Sequence, residues 1–135
     1  MKKSILLLIV LMFGLNINAQ NSNENLTGYY WTDHVTEQPE GFDIDDNGNV
    51  SISTREGLVW LVSTVNGLNG QEPNDYEGLV VTLNDDLHDL DYYTWVPIGT
   101  SDNPFRGTFD GQNFIIDAIY MEDSEEGTNF GLFGT

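Results

Sequence analysis

The spacing of apolar positions in this chain changes several times, and each change predicts a different element. An apolar run over residues 5–15 follows Lys2-Lys3 and precedes Asn18-Ala19-Gln20. That order of basic, apolar and small residues is the order of a secretory signal peptide, with cleavage expected after Ala19. At about eleven residues the run is too short to cross a bilayer, which takes roughly twenty. Residues 20–28 are Asn-rich and without period, so they are expected to form a flexible leader, with a β-rich domain over residues 29–135.

The domain opens on the aromatic segment Tyr29-Tyr30-Trp31. Apolar and polar residues then alternate in Phe42-Asp43-Ile44 and again in Val50-Ser51-Ile52, with Asp46-Asn47-Gly48-Asn49 between them. Alternation on both sides of an Asn-Gly pair predicts a β-hairpin. The period then lengthens. Leu58, Leu61, Val62 and Val65 form a helical stripe, Ser53 and Glu56 have capping-box spacing, and Gly67 supplies the stop. A capping helix is therefore predicted over about 54–66, with Trp60 off the stripe and placed to cover an adjacent edge.

Residues 68–78 are polar and broken by Gly70 and Pro73, which predicts a loop. Short apolar and β-branched segments follow: residues 79–83, Trp95-Val96-Pro97-Ile98, Gly107-Thr108-Phe109, residues 114–121 and residues 129–133. Short strands divided by glycines and without a further helix predict a mainly β domain. Periodicity alone leaves a sandwich, a barrel and a solenoid open.

Charge narrows the function classes. After cleavage, Arg55 and Arg106 stand against 22 acidic residues, a formal charge of −20. Two separated arginines cannot form the basic patch that neutralises nucleic-acid phosphates, and the same field repels an anionic membrane surface. The acidity serves solubility outside the cell, or in part the collection of divalent cations. With no cysteine, neither a disulfide framework nor a thiolate metal site exists. The length remaining, about 115 residues, fits one modest domain.

The ordered segments Trp95-Val96-Pro97-Ile98-Gly99-Thr100, Pro104-Phe105-Arg106-Gly107-Thr108-Phe109-Asp110-Gly111 and Gly131-Leu132-Phe133-Gly134 resemble the opening of GLUG-motif proteins. Ser53-Thr54-Arg55-Glu56-Gly57-Leu58 with Trp60-Leu61 resembles the short helix that precedes the strands in that family, and residues 81–87 resemble its next element. The likeness covers roughly residues 50–135. It implies a right-handed parallel β-helix of the pectate-lyase type with one amino-terminal capping α-helix. It also implies a structural role for Trp95, Gly99, Phe105, Gly107, Phe109, Asp110, Gly111, Gly131, Phe133 and Gly134. The setting it implies is an adhesin-like protein, secreted or on the outer surface of a Gram-negative bacterium, with a glycan or a host or matrix protein as partner. The family usually carries further repeats, and Gln112-Asn113-Phe114 departs from its commoner turn. A coil stopping at the first Gly-Leu-Phe-Gly would leave an open carboxyl-terminal edge prone to self-association.

Three groups of residues bear on chemistry. Asp43-x-Asp45-x-Asn47-Gly48 matches the first half of a calcium loop, but its twelfth position is Thr54 instead of a closing Glu, so a hairpin turn competes with a calcium site. Asp85, Asp86, His88, Asp89 and Asp91 are the densest set of ligand types, against which stands their reading as solvated turn residues. Tyr92 and Tyr93, adjacent on an expected strand, must point to opposite faces, leaving one outward as a carbohydrate-contact residue. No Gly-x-Ser-x-Gly, phosphate-loop or His-Glu-x-x-His pattern occurs. The expectation is a noncatalytic surface module that binds a glycan or host protein. The alternatives are a polysaccharide-active enzyme of the β-helix class and a calcium-stabilised module.

Overall fold

A computed structural model describes residues 29–122 and 131–134. The expected signal peptide and leader lie outside the described residues. Among those described, no helix is long and apolar enough to cross a membrane.

Strands β1 (Phe42–Ile44) and β2 (Val50–Ile52) pair antiparallel, with Asp43 opposite Ser51. The turn between them is tied by the Asp45 carboxylate. Its Oδ1 accepts from the N–H groups of Asn47 and Asn49 at 2.9 and 2.8 Å, and its Oδ2 from the Asn49 side chain at 3.1 Å. Strands β3 (Val80–Leu83) and β4 (Thr108–Asp110) then add in parallel, giving one mixed four-stranded sheet in the order β1-β2-β3-β4. Alternation sorts the side chains. Val50, Ile52, Val81 and Leu83 are buried, while Ser51, Thr82 and Asp110 stand in one register row on the other face.

Helix α1 (Trp31–His34) is a single turn, and helix α2 (Arg55–Asn66) packs on it and on β1 and β2. The N-cap of α2 is Thr54, whose Oγ1 accepts from Gly57 N at 3.0 Å. The expected Ser53–Glu56 box is therefore displaced by one residue, and Glu56 instead pairs with Arg55. Gly67 ends the helix in the left-handed region at φ 71°, and Leu68 N reaches back to Ser63 O at 2.9 Å, the closure that turns a chain out of a helix.

The predicted one-sided stripe is not what α2 shows. Val59, Trp60, Leu61 and Val62 are all buried in succession, Trp60 included. The cause is tertiary: besides the sheet, α1, residues 74–76 at Thr64 and residues 97–99 at Asn66 all close on the helix. Asn69 fastens the two helices through its side-chain amide, which reaches Thr32 O, Val35 O and Ser63 Oγ.

Beyond the helix, the expected strands around Trp95-Val96-Pro97-Ile98, residues 114–121 and residues 129–133 reduce to isolated parallel bridges. These join Leu87 to Ile116 and Ile98 to Phe133, while Thr94 bridges back to Tyr30. Residues 129 and 130 lie outside the described set. The sheet is open: β4 has a strand partner on one side only among the described residues. What is shown is thus a small mixed sheet with few helices, coarser than the complete right-handed coil implied by the family resemblance.

Candidate functional site

Most of the residues singled out by motif hold the stack together. Ile98 and Phe133 bridge, and Gly134 N donates to Ile98 O at 2.9 Å. A Cβ on Gly134 would run into the carbonyl oxygen of Gly99, and Gly99 itself has φ 86°, so each position needs glycine for a separate reason. Trp95 is buried; the ring of Phe133 packs against those of Phe105 and Phe109 at 5.5 and 5.3 Å. A side chain at Gly107 would strike Phe105 and Tyr76. Asp110 Oδ1 accepts from Gln112 N at 3.0 Å, Gly111 borders open space, and Gly131 lies close to Phe133.

Of the carboxylates expected to compete for a cation, those of Asp45, Asp85 and Asp86 are similarly committed. Hydrogen bonds from the Asn49 side chain and backbone hold Asp45 below the usual carboxylate range, while Asp43 is exposed on β1 and Asn47 sits in the turn that Asp45 organises. In the second set, Asp86 Oδ1 accepts from Ile115 N at 2.8 Å and Asp85 Oδ1 from Asp86 N at 2.8 Å. His88 Nδ1 meets Asp117 Oδ2 at 2.8 Å, and that hydrogen bond raises the imidazole above its ordinary value. These contacts tie residues 85–88 to residues 115–117. Among the described residues, no group of three His, Cys, Asp or Glu could hold a metal.

Tyr92 and Tyr93 lead to a different arrangement. They lie in a bend between buried Leu90 and Thr94, where the expected strand is absent, and their environments differ. Tyr93 is held inward, edge-on to Trp31 at 5.0 Å and stacked on His34 at 3.7 Å with planes 17° apart. Trp31 in turn is fixed by its indole Nε1, which donates to Leu90 O at 2.9 Å. Tyr92 is 67% exposed.

Arg55, the first residue of α2, brings its guanidinium carbon to 5.4 Å from the ring centroids of both Trp31 and Tyr92. That range is within reach of cation–π attraction. Arg55 Nε also donates to Glu56 Oε1 at 2.8 Å, and this bond raises the arginine further above its ordinary value, so it stays charged. Together Trp31, His34, Val35, Arg55, Glu56, Tyr92 and Tyr93 line a cleft of about 360 Å³. A second cleft of about 250 Å³ shares His34, Val35 and Glu56 and continues past Glu37 and Gln38.

Of this site the sequence reading found only the two tyrosines. Trp31, His34, Arg55 and Glu56 were missed as partners because three separate segments meet there. One local signal was present: an arginine at the first helical position opposes the helix dipole, which favours acids at that end. A larger cleft, of about 390 Å³, lies by Asp75, Asp102 and Arg106 and has no aromatic ring in its wall. The chain matches no protein-family model, no curated protein and no solved structure.

Proposed function

We propose that this chain is a noncatalytic, exported surface module of the adhesin-like kind that binds glycans in the cleft beside Tyr92. The exposed Tyr92 ring next to the Arg55–Glu56 pair carries the reading. An aromatic face is electronegative and attracts the polarised C–H groups of a pyranose. A charged donor and a charged acceptor beside it provide for the sugar hydroxyls. A cleft of about 360 Å³ falls in the range of small-ligand sites, roughly 300–1,000 Å³. Among the described residues Glu56 is the one carboxylate in its wall, whereas glycoside hydrolysis usually uses two flanking the scissile bond.

The finer architecture in this proposal is the start of a right-handed parallel β-helix like that of the GLUG-motif proteins. It draws support from the parallel meeting of two successive chain layers at three places: Val81 with Phe109, Leu87 with Ile116, and Ile98 with Phe133. The glycine-to-glycine approach of Gly134 on Gly99 is a further contact of the same two layers.

Glycan-array screening of the full chain, followed by titration of the best oligosaccharide, tests the function. Tyr92→Ala should weaken binding at least about tenfold, the scale of one lost hot-spot contact, while leaving the thermal melt unchanged. Equal binding by the variant, or no binding across the array, would remove the proposal.

A further inference from the structure

The electrostatics of the same cleft specify a class of sugar, an inference that rests on the glycan reading above. Among the described residues Arg55 is the one arginine or lysine in the wall. Its charge is already matched: Nε is held by Glu56 Oε1 at 2.8 Å, and Nη1 lies 3.4 Å from the carbonyl oxygen of Asp89. The Asp89 carboxylate adds a further negative charge within coulombic reach of the guanidinium, and Glu37 lines the adjoining cleft. Around this stands a chain of formal charge −18. An anionic sugar entering here meets an arginine whose charge is spoken for and a field of its own sign.

The hydrogen-bonding capacity that remains is of a different kind. Among the described residues Arg55 Nη2 and Glu56 Oε2 have no protein partner. The two belong to side chains joined by a short ion pair, so a donor and an acceptor are presented side by side. Two adjacent sugar hydroxyls fit such a pair, one accepting from the guanidinium and its neighbour donating to the carboxylate. The ring of Tyr92 stands beside this clamp, 5.4 Å from the guanidinium carbon on one face and 67% exposed overall. Pinning by Trp31 and Tyr92 limits the freedom of the long arginine side chain before any ligand arrives, which lowers the entropic cost of ordering it.

We infer that the cleft selects uncharged sugars carrying a vicinal diol, with Tyr92 as stacking platform and the Arg55–Glu56 pair as hydroxyl clamp, and that it rejects uronic acids.

The test is calorimetric titration of the full chain with neutral gluco-, manno- and galacto-oligosaccharides and with oligogalacturonate of the same length, at low and at high salt. Neutral oligomers should bind at least about tenfold more tightly than the uronate, specificity here coming from a built-in repulsion. High salt should narrow the gap. Glu56→Gln should weaken neutral binding and relax the rejection of uronate. Arg55→Lys should not restore what Arg55→Gln loses, because an ammonium lacks the planar fork. Tighter binding of oligogalacturonate, lost in Arg55→Gln, would overturn the selectivity and leave glycan binding standing. Absence of Tyr92-dependent binding by either class would overturn both. Thermal melts of each variant separate loss of binding from loss of fold.

Discussion

The layers on the two sides of β3 use similar residues and reach different degrees of dryness. Towards α2, the side chains of Ile52, Leu58, Leu61, Val62 and Val81 are fully buried. Towards β4, Phe109, Ile116, Leu132 and Phe133 are only partly buried, and Ile115 and Tyr120 are exposed. Both layers hydrogen-bond to β3 or to the segment that follows it. The difference lies in what covers the far side: α2 and α1 close the first layer, while among the described residues no element lies over the second. Apolar burial contributes about 25 cal/mol per Å² removed from water, so the amino-terminal half should hold most of the stability.

Core truncation should expose this contrast most strongly. Leu61→Ala is expected to lower the unfolding free energy by about 3 kcal/mol or more, as for a fully enclosed leucine. Ile116→Ala, in the half-covered layer, should cost about 1 kcal/mol. Chemical denaturation compares them directly, and equal losses would break the comparison.

Asn66 joins the two regions. Its side chain accepts from Gly99 N at 2.8 Å and donates to Pro97 O at 3.0 Å, connecting the end of α2 to the segment that carries the Gly99–Gly134 contact. Asn66→Ala leaves both backbone groups without that partner, and a loss of about 2 kcal/mol is expected. Hydrogen exchange should show Gly99 and Gly134 losing protection together. If only Gly99 responds, the layers are less coupled than the contacts imply.

A smaller effect distinguishes the start of α2. Thr54→Ala should cost about 1 kcal/mol by removing the cap on Gly57 N, whereas Ser53→Ala should stay within about 0.5 kcal/mol. The reverse ranking, in the same denaturation assay, would restore the capping box at Ser53.

The smallest effect is the pH response of the outer layer. His88 has a raised folded value because Asp117 binds its protonated form. Its contribution is fully present below the ordinary histidine value, about 6.5, and is lost as pH rises through the raised folded value. Asp45 has the opposite sign: its lowered value makes a contribution that is present above the ordinary carboxylate range and lost as pH falls through the folded value. Both groups are solvent-exposed, so small changes in melting temperature are expected. His88→Gln should flatten the response around neutrality and leave the acid side unchanged; an unaltered profile would show that the pair ties nothing.

Some of this could be read along the chain. The Asn47-Gly48 turn, the stop at Gly67 and the β-branched run of β3 follow from backbone sterics and short-range hydrogen bonds, which a few neighbouring residues settle between themselves. The helix start slipped by one residue because Ser53 and Thr54 are both competent caps, and the choice depends on where the preceding chain lies: Thr54 Oγ1 also donates to Glu40 O at 2.9 Å. The strands expected at residues 95–98 and 114–121 shrank to bridges because an apolar run indicates burial without saying how many backbone pairs the neighbouring layer will offer.

The sequence by itself determined the acidic field, the absence of thiol chemistry and the local stops and turns, since each needs only residue types and near neighbours. Tertiary structure decided that α2 is covered on all sides, that the carboxylate of Asp86 is committed to the backbone amide of Ile115, and that Arg55 rests between Trp31 and Tyr92. Those outcomes come from contacts between segments far apart in the chain. Side-chain burial and ring geometry, which no local pattern encodes, set their energies.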